Sequence, residues 1–200
     1  MSDFENLSLK QLRDLGDKVG SEQRAKRFMS GELLLVERTD PRAAATVLNF
    51  ERNVLVAARR FNTSESFTKR NPKVKFGYID ERIIKLFGKG QDVPSGELAI
   101  HTLLLPKHDP EIMVALGPQS RRFIKLGQFY QLIEAQGHGQ DGPLLVDGHA
   151  NIAYILDEND APWVFDAGWN PRCGDWGVRV YSVAHLIGWS AGRKVLSQVG

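Results

Sequence analysis

One cysteine, three methionines and no apolar run near the ~20 residues that span a bilayer set the first limits on this 200-residue chain. Cys173 alone cannot close an internal disulfide, which suits a reducing compartment. The start, MSDFENLSLKQL, has no basic stretch followed by a hydrophobic one, so no secretory signal is read there. A cytoplasmic location with no membrane partner is therefore expected. The chain has no Walker phosphate loop, no G-x-G-x-x-G behind a strand, no H-E-x-x-H, no G-x-S-x-G and no paired C-x-x-C. These absences remove the enzymes that carry such signatures without excluding an enzyme, and no cofactor is expected. Nothing repeats at a fixed period.

What is present reads as an ordinary globular protein, 42% hydrophobic and 25% charged. The net charge of +2 hides an asymmetry. Residues 42–85 hold 10 basic and 4 acidic side chains, whereas residues 86–200 hold 9 and 12. An anionic partner is conceivable for the middle segment alone.

Periodicity predicts an α+β fold in one domain of residues 1–200, with a helical lobe over 1–40 and a β-rich body over 41–200. Leu9, Leu12 and Leu15 behind Ser8, then EQRAKRFMS behind Ser21, predict an N-terminal helical hairpin. TVLNFERNVLVAARRF fits a helix or two strands around Glu51-Arg52-Asn53, and is read as strands. KVKFGYI alternates, with Val74, Phe76 and Tyr78 on one face. ELAIHTLLL and EIMVAL read as two strands joined by PKHDP, and GKGQDVPSG as loop. Leu126, Phe129, Tyr130 and Ile133 give the best amphipathic helix, over 125–136. The body is thus expected to be a mostly antiparallel sheet with that one helix, ending in a β-meander of ANIAYIL, PWVFDA, DWGVRVYSV and GRKVLSQ. In that meander Trp163 and Trp176 face the core, whereas Trp169 and Trp189 sit in glycine-flanked loops.

Four constellations carry chemistry. Trp169 and Trp189, with Arg172 between them, could form a ligand-binding face at the end of the sheet. Arg59, Arg60, Lys69, Arg70, Lys73 and Lys75 surround NTSESFTKRNPK, with Phe61, Phe67 and Phe76 nearby to stack on bases, as a nucleic-acid surface requires. Cys173, His185 and Asp166 are the right types for a thiol nucleophile, a base and an orienting carboxylate, but no nucleophile signature surrounds them. His138, Asp141, Asp147 and His149 could ligate a divalent ion, although two Asp-Gly turns flanking an expected strand, PLLV, explain the same residues.

LRDLGDKVGSEQRAKRFMSGEL near the start and GPLLVDGHANIAYILDENDAPWVFDAGW, GDWGVRVYSV and GRKVLSQ near the end resemble a family of short proteins from uncultivated bacteria with reduced genomes. The resemblance implies kinship and no activity. That family carries an aromatic in place of His149 and no cysteine at Cys173, which implies that neither belongs to a shared catalytic apparatus. The first reading is therefore a non-catalytic binding protein, its partner a protein or a small ligand, using Trp169 and Trp189 and requiring both indoles to be exposed. The alternatives are a nucleic-acid binder using residues 42–85 and a thiol- or metal-dependent hydrolase.

Overall fold

The computed structural model describes residues 47–183 and 188–199. The chain divides into two units, Met1–Arg38 and Thr39–Gly200, and every described residue belongs to the second. The helical hairpin expected over residues 1–40 lies outside the described residues, and so does His185. In chain order the elements are β1 (Leu48–Val56), β2 (Arg59–Phe61), α1 (Thr63–Ser66), β3 (Phe76–Ile79), α2 (Arg82–Phe87), β4 (Gln91–Val93), β5 (Gly96–Leu103), β6 (Lys107–His108), α3 (Asp109–Ala115), α4 (Gln119–Arg122), α5 (Leu126–Ala135), β7 (Ala150–Leu156), β8 (Pro162–Asn170), β9 (Asp175–Ser182), β10 (Gly188–Trp189) and β11 (Lys194–Gln198). None of these helices is long and apolar enough to cross a membrane.

Seven strands form one sheet in the order β1-β5-β11-β7-β8-β9-β3. Two pairings are parallel, β11 with β7 and β3 with β9. The expected α+β class is thus corrected: the described residues are mostly β, built on a mixed sheet with a few short helices. EIMVAL, expected as a strand, is helical instead: α3 takes it through Ala115 and Leu116 caps the helix. Pro110 is pre-set for a first helical turn, and the Glu111 carboxylate accepts the His108 backbone N–H at 3.1 Å. Ile112 and Leu116, four residues apart, then bury together on one face. The expected loop GKGQDVPSG contains β4, which pairs with β2.

Hydrophobic clusters cover both faces of the sheet. On the first face, α5 lays Leu126, Phe129, Tyr130 and Ile133 over Leu98, Ile100, Phe165, Val178 and Leu196. On the second, Ile112, Leu116 and Trp189 pack with Leu103, Ile152, Tyr154 and Val195. Strand β7 runs between them, and Ala150 to Ile155 are all buried. Its sequence alternation therefore marks two apolar faces and not one wet side.

PLLV is no strand. Its backbone is satisfied by two buried amides instead. Gln136 Oε1 accepts the Leu144 N–H at 2.8 Å and Asn151 Oδ1 the Leu145 N–H at 2.7 Å.

Candidate functional site

Strand β2 and helix α1 rise beside α5, and the space between them is a cleft of about 630 Å³. Arg59 and Arg60 come from β2, Asn62 and Glu65 from the start of α1, Lys73 from the following loop, and Tyr130 and Glu134 from α5. Asn62 caps α1, its Oδ1 accepting the Ser64 and Glu65 N–H groups. Asn71 holds the loop: its Oδ1 accepts from the Lys73 and Val74 N–H groups, and its Nδ2 donates to Ser66 O and to Tyr130 Oη. Gly137 ends α5 where a Cβ would stand 1.9 Å from the Lys73 carbonyl. Only a residue without a side chain lets the loop come that close, and this approach brings Lys73 to Glu134.

Glu134 organises the charges. Its carboxylate takes Arg59 at 2.5 Å and Lys73 at 3.1 Å, while the Arg59 guanidinium lies over the Tyr130 ring at 5.3 Å from the centroid. Burial alone would raise the Glu134 pKa, but Arg59 and Lys73 together hold it below the usual glutamate value. A depressed folded-state pKa adds stability above the unfolded value of 4.5 that is lost as pH falls through the folded one. Glu134→Gln should therefore cost about 1 kcal/mol at pH 7, and the difference from wild type should vanish in acid. Urea titrations at pH 7 and in the acid range would check both limbs.

Five of the six cations of the sequence-predicted nucleic-acid surface belong to this region. Arg59, Arg60 and Lys73 line the cleft, and Lys69 and Arg70 lie in the turn between Ser66 and Asn71, which line it too. Lys75 instead donates to the Cys173 carbonyl at 2.9 Å. Among the described residues Arg60, Lys69 and Arg70 have no carboxylate partner. The expected stacking aromatics are not available: Phe61, Phe67 and Phe76 are buried, packed on one another and on Tyr130.

No protein-family model, no curated protein and no solved structure matches this chain.

The expected tryptophan face is overturned by burial. Trp169 is 8% exposed and Trp189 5%, where a binding surface needs both indoles open. Trp169 belongs to β8 and meets Trp176 edge to face at 5.7 Å between centroids. Trp189, in the short strand β10, donates its indole N–H to Asp109 Oδ1 at 2.7 Å. Arg172 is exposed in the β8–β9 turn, away from any open indole.

Asp109 Oδ1 also accepts the Tyr154 hydroxyl at 2.9 Å, and its Oδ2 is buried with no partner among the described residues. Burial raises the Asp109 pKa against the two hydrogen bonds. Read as part of a turn, this residue has no signal in the sequence except the Asp-Pro step that starts α3.

The metal constellation does not form among the described residues, and the thiol constellation cannot be completed there because its His185 lies outside them. Cys173 is exposed, and Asp166 is buried facing Arg179 at 3.7 Å. His149 Nδ1 pairs with Asp147 at 3.1 Å, and His138 and Asp141 are exposed. Among the described residues no three His, Cys, Asp or Glu side chains are grouped to hold a metal ion.

Proposed function

We propose that this chain binds the phosphate backbone of nucleic acid along the basic cleft. The observation that carries this reading is the convergence of Arg59, Arg60 and Lys73 on one cleft, with Lys69 and Arg70 on its flanking turn. Phosphate recognition needs point charges and guanidinium forks and no aromatic platform. With Phe61, Phe67 and Phe76 in the core, the described residues of the cleft offer bases no open ring to stack on. Binding is then indifferent to sequence and sensitive to salt. A compact anion could sit in the cleft, but it would leave Lys69 and Arg70 unused, and that favours an extended ligand. A cytoplasmic location fits this reading.

Fluorescence polarisation with single-stranded and duplex oligonucleotides of mixed sequence tests it, with inorganic phosphate and a mononucleotide as competitors. Affinity should fall steeply between 50 and 200 mM salt, as counterion release requires, by roughly tenfold or more for several phosphate contacts. Reversing Arg60 and Arg70 together to Glu should weaken binding at least tenfold for every sequence and lower the salt slope by about 2, one for each arginine replaced. No polarisation change at low salt overturns the proposal. Competition by the mononucleotide without oligonucleotide binding replaces it with a small phosphorylated ligand.

A further inference from the structure

On the opposite face of the sheet, β5 and β11 pair with Ala99 beside Ser197 and His101 beside Val195. The register therefore sets His101 and Ser197 diagonally across the ladder on one face, and His101 Nε2 lies 3.0 Å from Ser197 Oγ. Both line a cavity of about 360 Å³, together with Phe50, Leu116, Val199 and Arg121. We propose that Ser197 and His101 form a nucleophile–base pair that hydrolyses small acyl esters in this cavity.

Each part has the chemistry the reaction needs. A base within about 2.6–3.2 Å of a hydroxyl can take its proton as the oxygen attacks. Burial holds the imidazole pKa below its ordinary 6.5, against the opposing field of Glu51, so the ring is neutral and can accept a proton at pH 7. The competing acceptor for the serine proton, the Gln198 carbonyl, is farther away at 3.3 Å. A cavity of this size matches the lower range of small-molecule sites, roughly 300–1,000 Å³. Phe50, Leu116 and Val199 give it apolar walls for an acyl chain. Phe50 meets the His101 ring edge-on at 5.9 Å between centroids and is itself 55% exposed, so the cavity opens to solvent beside the imidazole. Among the described residues Arg121 supplies the cavity's only cation, and its guanidinium has no partner there.

In the first step Ser197 Oγ bonds to the ester carbonyl carbon while its proton passes to His101 Nε2, and Arg121 balances the charge on the former carbonyl oxygen. The carbon–oxygen ester bond then breaks, and the alcohol leaves with the proton from His101. In the second step a water gives its proton to His101 and its oxygen to the acyl carbon. The acid departs as the proton returns to Ser197 Oγ. One ester and one water become one acid and one alcohol.

The test is labelling of the full chain with an alkyl fluorophosphonate, read by intact mass and by peptide mapping, alongside hydrolysis of p-nitrophenyl acetate and butyrate. One adduct on the peptide carrying Ser197 is expected, lost in Ser197→Ala and slowed at least a hundredfold in His101→Ala, in line with the ~10²–10⁴ of general-base catalysis. Hydrolysis should fall on the acid side with a midpoint below pH 6.5, the ordinary value of the depressed histidine. Ser197→Ala removes one oxygen, and a thermal melt close to wild type shows that its loss of labelling is chemical. Should that variant not fold, the wild-type peptide map decides alone. An unlabelled wild type, or an adduct on another residue, overturns the proposal.

Discussion

Replacing Trp176 with Ala should cost about 3–5 kcal/mol, the range for truncating a large aromatic in a core that collapses only in part. Trp176 is completely buried on β9, opposite Trp169 on β8, at the place where the end of α5 meets the sheet. Its indole N–H donates to the Gln136 carbonyl at 2.9 Å. That carbonyl also accepts the Gly139 N–H at 2.9 Å, so truncation leaves it satisfied. The loss is therefore one of packing: the Trp169 ring loses its edge-to-face partner and the end of α5 loses its floor. Trp176→Phe should recover more than half. The check is urea denaturation, with a lower midpoint at unchanged slope. A cost under 1 kcal/mol would mean that the two indoles do not join helix and sheet.

The second large effect concerns a polar core. Asp109→Ala should cost about 2–4 kcal/mol, because it strands the Tyr154 hydroxyl and the Trp189 indole N–H, each worth ~1–3 kcal/mol when buried unpaired. Release of a poorly solvated carboxyl offsets part of this. Combining Asp109→Ala with Tyr154→Phe should therefore cost less than the two changes summed, since the stranded hydroxyl is gone. The pH dependence has a definite sign. The Asp109 pKa is raised in the folded protein, so its contribution to stability is full below the unfolded value of 3.8 and is lost as pH rises through the folded value. Asp109→Asn keeps an acceptor for both donors and removes the titration. Its stability relative to wild type should accordingly improve as pH rises above 3.8. Guanidinium melts of both proteins over the acid range would show the difference, and parallel curves would sink the assignment.

Much of the local structure was legible where one rule acted alone. The amphipathic stretch over 125–136 is α5, because four apolar residues at helical spacing cover one face of the sheet. Other segments obey two rules at once. TVLNFERNVLVAARRF looked ambiguous because β1 carries an irregularity between Phe50 and Arg52. Phe50 shares the second face with His101, yet beyond the irregularity Asn53 pairs with Ala99 on that same face, so the alternation changes parity midway. The same break between Phe76 and Tyr78 sends Phe76 inward and leaves Tyr78 exposed. Trp169 and Trp189 read as loop residues from their glycine neighbours, but those glycines are compatible with β8 and β10.

The basic cleft was half visible. Its cations stand close together in the sequence, whereas Glu134 and Tyr130, which order them, come from a helix about sixty residues downstream. Ser197 and His101 are 96 positions apart, and nothing local to either announces the other. Only strand order joins them.

That strand order has a consequence for how the molecule assembles. Strand β11 lies between β5 and β7, so without it the sheet is two ribbons, each with a bare inner edge. During synthesis the ribosome must therefore release Lys194–Gln198 before those ribbons can be stitched together, and until then both open flanks invite mispairing with other chains.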